Sequence, residues 1–245
     1  MNQKYDLKEH LATEHQVSPF QTYLKEIIYG GNDGIVTTFA VVAGFTGAQA
    51  GASIPTYSFM TVLLFGLANL FADGASMGLG NYLSVRSEKD SYKRQQKKEL
   101  YEIRNHREME LEETRIILIQ KGYSEKDAKD MAALFAKNEK YWLQFMMNDE
   151  LELPNPTSEK PHLTALATAV SFIAFGFIPL TPYLFTQNVT LAFSYSLIST
   201  ATALVLLGLL RWRVTKESLT RSVLEIVAVG GLAAAIAFTV GTFFK

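Results

Sequence analysis

Charge in this chain is concentrated in one internal stretch, and that uneven spread decides which solvents it can fold in. Arg86 to Lys160 holds 15 of the 23 Lys+Arg and 16 of the 24 Asp+Glu. On either side run long apolar stretches with few ionisable groups, so the mean hydropathy of +0.08 averages two regimes, lipid and water. Crossing a hydrocarbon core roughly 30 Å thick takes about 20 apolar residues in a helix, because no water is there to satisfy backbone groups. Five segments answer that description: about Gly31–Ala50, Tyr57–Leu83, Leu163–Phe185, Val189–Leu210 and Ser222–Phe244. The first is Gly-rich and opens with an acid, which makes it the weakest by hydropathy. It is kept because the charge pattern of the links fails without it.

Lys and Arg mark the cytoplasmic side of such a protein. The link GASIP after the first segment carries none, and neither does Thr186–Asn188. Arg86–Lys160 carries fifteen, Arg211–Arg221 carries four, and Lys4, Lys8 and Lys25 sit before the first span. The expected fold is therefore all-α. Residues 1–30 form a cytoplasmic N-terminal segment, 31–85 hold transmembrane helices 1 and 2, 86–161 form a cytoplasmic three-helix module, and 162–245 hold helices 3 to 5. A net charge of −1 argues against a nucleic-acid partner, and the lack of Cys excludes disulfides, thiolate metal sites and thiol nucleophiles. The polar N-terminus has no signal-like run or targeting segment, which favours a bacterial inner membrane over a eukaryotic vacuole.

The module reads as one helix from Arg86 to Gln120, stopped at Lys121-Gly122. A short helix opens at Ser124 with Asp127 three residues on, and a third runs from about Asn138 to Leu153, ended by Pro154 and Pro156. Glu99 and Glu102 stand three apart, as do Glu110 and Glu113, so each pair stacks on one helix face. Crowded carboxylates suit a divalent cation, although a solvated charged helix would show the same density. Met146, Met147 and Glu150 put two thioethers and a carboxylate on one turn, a set suited to a borderline transition ion. The alternative is that both Met residues are core filler beside Trp142 and Phe145.

Inside the apolar segments, Asp33 stands with Thr37 one turn on, and Asn69, Asp73, Met77 and Asn81 recur every four residues. An intramembrane acid is expensive and usually marks an ion path; the competing reading is polar glue between helices, with Gly74 and Gly78 permitting close approach. Glu225 suits either the path or the interface. His10, His15, His106 and His162 form no i,i+4 pair, and no phosphate loop, nucleophile elbow or dinucleotide fingerprint is present.

Taken together, NDGIVTTFAVVAG (Asn32–Gly44), ADGASMGLGNYLSVRSEKD (Ala72–Asp90) and the Glu and Met spacing of the module resemble the vacuolar iron transporter family. The resemblance spans essentially the whole chain. It implies a homodimer of five-span subunits that moves Fe²⁺, and often Mn²⁺, out of the cytosol in exchange for protons. It implies metal binding in the module by Glu99, Glu102, Glu110, Glu113, Met146, Met147 and Glu150, and translocation through Asp33 and Met77. Where relatives commonly place a glutamate on the second span, this chain offers Asn69 or Asn81, with Asp73 as the substitute acid. The metal is then substrate rather than prosthetic group, and the protein is not an enzyme. A membrane-anchored metal sensor or buffer is the alternative. A di-iron oxidase is disfavoured, because such sites use Glu-x-x-His pairs and His106 follows Glu102 by four.

Overall fold

A computed structural model describes residues 18–49 and 58–243. The polar N-terminus with Lys4, Lys8, His10 and His15, and the GASIP link, lie outside the described residues. Every regular element among those described is helical. Apart from a single turn at Pro19–Thr22 and short 3₁₀ and π turns, they are, in chain order, α1 (Leu24–Gln49), α2 (Phe59–Asn105), α3 (Arg107–Gln120), α4 (Glu125–Phe135), α5 (Glu139–Phe145), α6 (Pro161–Gly176), α7 (Thr181–Phe185), α8 (Val189–Thr215) and α9 (Leu219–Thr242). The chain divides into two units, one drawn from Met1–Asn81 with His162–Lys245 and the other from Tyr82–Pro161.

In the first unit, α2, the segment Pro161–Phe185, α8 and α9 are each long and apolar enough to cross a membrane. Their outer faces stay apolar, with Phe65, Leu79, Leu224 and Leu232 all more than half exposed, which is a liability in water and the normal state in lipid. α1 does not reach that hydropathy, and its surroundings explain why. Ile35, Phe39, Val42 and Ala43 are almost completely buried, so α1 is enclosed by other helices and needs no apolar outer face. Its glycines let neighbouring backbones come close. A Cβ at Gly34 would lie 2.2 Å from the Phe172 carbonyl oxygen of α6, and one at Gly241 of α9 would lie 2.3 Å from that of Gly44. Gly74 and Gly78 likewise seat α2 against Ile173 and Ala169 of α6, as the spacing suggested. The third apolar segment is interrupted: α6 stops at Gly176, and a 3₁₀ turn (Ile178–Leu180) carrying Pro179 leads into α7, which carries Pro182.

The second unit has its own core of Tyr92, Ile103, Leu118, Ala128, Trp142 and Phe145. Its turns follow the sequence signals. Gly122 takes φ +98°, the Gly122 N–H bonds to the Ile119 carbonyl and the Tyr123 N–H to that of Leu118, which closes α3 with a Schellman motif. The Ser124 hydroxyl accepts the Asp127 N–H at 3.2 Å, and the Asn138 side chain accepts that of Tyr141 at 3.1 Å, capping α4 and α5.

Two expectations need correction. The helix expected from Arg86 to Gln120 breaks at His106 (φ −126°, ψ 37°), which separates α2 from α3. The Asn105 side chain bonds back to the Tyr101 carbonyl there, competing with the backbone ladder. The helix expected from Asn138 to Leu153 is α-helical only to Phe145. Met146–Glu150 is a π turn, closed by the Leu151 N–H on the Met146 carbonyl at 3.1 Å. Such turns add a residue to the helix and re-aim the side chains that follow.

Candidate metal centre

The break at His106 creates the site. On an unbroken helix, Glu99 and Glu110 would lie about 16 Å apart along the axis. Instead, oxygens of Glu99, Glu110 and Glu150 all lie within 4.8 Å of one another. Each comes from a different element: Glu99 from α2, Glu110 from the first turn of α3, and Glu150 from the end of the π turn. Glu99 and Glu110 are buried, at 3% and 2% exposure, while Glu150 is partly open to solvent. Glu99 Oε1 and Glu110 Oε2 have no hydrogen-bond partner. Buried acceptors without partners are uncommon and costly, so the pair calls for protons or a cation.

The electrostatics agree. Burial, then repulsion from Glu110, Glu102 and Glu113, pushes Glu99 up to about 7. Burial and the charges of Glu113, Glu150 and Glu102 push Glu110 up to about 7. Glu150 rises to about 7 through burial and repulsion from Glu99, Glu113 and Glu102, with Lys98 opposing. Three acids are thus poised to exchange protons near neutrality. Glu102 and Glu113 flank the trio half-buried, Glu102 with Lys98 at 3.5 Å, and act on it through their charge.

Met146 and Met147 are fully buried in the core of this unit, one turn or less before Glu150. The Thr114 hydroxyl lies 3.3 Å from Met146 Sδ and accepts the Trp142 indole N–H at 2.8 Å. Spacing did not single out Thr114, although it follows Glu110 by one turn. Lys121 pairs with Asp149 at 2.5 Å, tying the π turn to the end of α3.

In the membrane unit the polar stripe of α2 divides. Asp73 acts electrostatically on Asp33 of α1, so the two acids share one neighbourhood. Asn69 lines a cavity of about 560 Å³ with Gly44 and Phe45 of α1, Phe65 of α2, and Val240 and Gly241 of α9. Met77 packs against the core that includes Phe39, Leu70 and Phe172. Asn81 is glue: its Nδ2 donates to Thr168 Oγ1 at 2.6 Å. Glu225 does not join Asp33 and Asp73; it pairs with Arg211 at 2.7 Å and Arg221 at 2.8 Å.

Known proteins are similar to this chain along most of their length. The family model described as VIT family matches residues 24–242. A vacuolar iron transporter of Centaurea cyanus is 35% identical, covering 97% of this chain and 93% of its own. Vacuolar iron transporter 1 of Arabidopsis thaliana is 34% identical over 96% and 91%, and a vacuolar iron transporter of Toxoplasma gondii is 32% identical over 98% and 81%. These relatives are vacuolar by name and come from plants and a parasite, so they lend no support to a bacterial inner membrane. With α1 to α9 inside the matched stretch, and the carboxylate trio and the Asp33–Asp73 pair within it, the chain is an integral membrane protein that belongs to the VIT family.

Proposed function

We propose that the protein transports divalent metal, Fe²⁺ foremost and Mn²⁺ among the others, out of the cytosol in exchange for protons. The observation that carries this reading is the convergence of Glu99, Glu110 and Glu150 with two buried oxygens left unpartnered. Relatives over almost the full chain are named iron transporters, which favours transport over an enzymatic role. Glu102 and Glu113 add charge at the rim, and the thioethers of Met146 and Met147 lie within the same unit. That donor set suits a borderline transition ion.

Carboxylates held near 7 lose their protons to a cation, so capture releases protons and acid opposes it. The path we assign is Asp33, Asn69, Asp73 and Met77, with the Asp33–Asp73 pair as its charged centre. We take α1 as the fifth span, because its 26 residues reach about 39 Å and its enclosed position explains its low hydropathy. The Lys and Arg distribution supports a cytosolic N-terminus and a cytosolic carboxylate unit. The resemblance drawn from the sequence supports a homodimer.

The test is Fe²⁺ flux into proteoliposomes under reducing conditions. Flux lost in both Glu99→Gln and Asp33→Asn supports the reading. Metal binding without flux in the unsubstituted protein would replace it with a membrane-anchored sensor or buffer.

A further inference from the structure

Between α3, α5 and the π turn lies a buried polar network that the carboxylates do not use. Thr114, Trp142 and Met146 are all fully buried. The Trp142 indole N–H donates to Thr114 Oγ1 at 2.8 Å, occupying one hydroxyl lone pair. The single hydroxyl proton of Thr114 then has two acceptors in reach, the Glu110 backbone carbonyl at 2.7 Å and Met146 Sδ at 3.3 Å. Thr114 sits one turn from Glu110, and Met146 one turn from Glu150, so the network is fixed to two elements that deliver carboxylates.

We infer that Thr114 is a positioning residue that holds the Met146 sulfur in place for soft metal ions, an inference that rests on reading Glu99, Glu110 and Glu150 as a metal centre with Met146 as its soft ligand. A Met side chain has three rotatable bonds and loses much freedom when its sulfur is fixed. The O–H···S bond fixes it before an ion arrives. Once an ion takes up the sulfur, the hydroxyl turns to the Glu110 carbonyl, so no hydrogen bond is lost in the exchange. Trp142 anchors the hydroxyl oxygen throughout. Hard ions, bound by carboxylate oxygen alone, gain nothing from this arrangement.

The test measures Cd²⁺ and Mn²⁺ binding to the full-length protein in detergent by titration calorimetry. Thr114→Val keeps the shape and removes the hydroxyl; Thr114→Ser keeps the hydroxyl. The expected result is a fall in Cd²⁺ affinity relative to Mn²⁺ of about fivefold in Thr114→Val, the factor that about 1 kcal/mol of lost Met146 ordering represents. Thr114→Ser restores the ratio, and in Met146→Leu the added Thr114→Val changes it no further. Trp142→Phe, which removes the indole N–H together with part of the ring, moves the ratio the same way and serves if Thr114→Val fails to fold. Equal weakening of both ions, or an unchanged ratio in Thr114→Val and Trp142→Phe, overturns the inference. An unsubstituted protein that binds neither ion overturns the metal-centre reading with it.

Discussion

Replacing Glu99 with Gln removes one charge from the carboxylate cluster and nearly preserves the volume of the side chain. In the folded protein burial and repulsion raise this acid from the ordinary 4.5 to about 7. At about 1.4 kcal/mol per pH unit, that rise makes ionised Glu99 a burden of about 3 kcal/mol on the metal-free fold. The sign follows from proton linkage: between pH 4.5 and 7 the folded state holds a proton that the unfolded state has lost. Stability of the metal-free protein therefore falls as pH rises through that window and levels off above it. Burial is the larger cause at both Glu99 and Glu110, so removing the Glu99 charge relieves its own burden and leaves that of Glu110 largely in place. Glu99→Gln should thus be more stable than the unsubstituted protein by about 3 kcal/mol at pH 8 and nearly equal to it at pH 4.5. Thermal unfolding with chelator, followed by Trp142 fluorescence in a Trp212→Phe background, reads the difference as a higher midpoint at pH 8. Adding Fe²⁺ or Mn²⁺ should stabilise the unsubstituted protein and leave Glu99→Gln nearly unmoved. A Glu99→Gln protein that melts no higher at pH 8, or one whose gain persists at pH 4.5, refutes the reasoning.

Metal affinity should climb as pH rises from about 6 to 8, since Glu99, Glu110 and Glu150 must each shed a proton held near 7; calorimetry in buffers of different ionisation heat would show proton release falling over the same range. Gly34→Ala would drive a Cβ against the Phe172 carbonyl oxygen, and should lower thermal stability by about 1–3 kcal/mol or abolish membrane insertion. Asn81→Ala should cost about 1 kcal/mol through the lost bond to Thr168, yet leave flux per folded protein intact, whereas Asp73→Asn should stop flux.

What was readable in the sequence followed from local chemistry. Continuous Leu, Val, Ile and Phe runs announce α8 and α9, and Gly122, Ser124 and Asn138 end or begin helices through bonds that a few residues determine. The glutamates were visible as a dense set, but which of them meet was not. Glu99 and Glu110 come together only because the helix breaks at His106, where neither Gly nor Pro stands. The π turn at Met146–Glu150 is equally silent, since MMNDE suits an α-helix as well. α1 shows the reverse difficulty. Hydropathy reports what a helix shows to lipid, and α1 is enclosed by its neighbours, so Asp33 and its glycines lower a hydropathy that its surroundings do not require.

The central claim is that Asp33 and the carboxylate cluster serve one metal flux. Proteoliposomes holding the purified protein, with Fe²⁺ and reductant outside and a pH dye inside, test it most directly. The account predicts Fe²⁺ uptake with proton efflux in the unsubstituted protein, and neither in Asp33→Asn. Undiminished uptake in Asp33→Asn, or tight Fe²⁺ binding with no uptake in the unsubstituted protein, would contradict it.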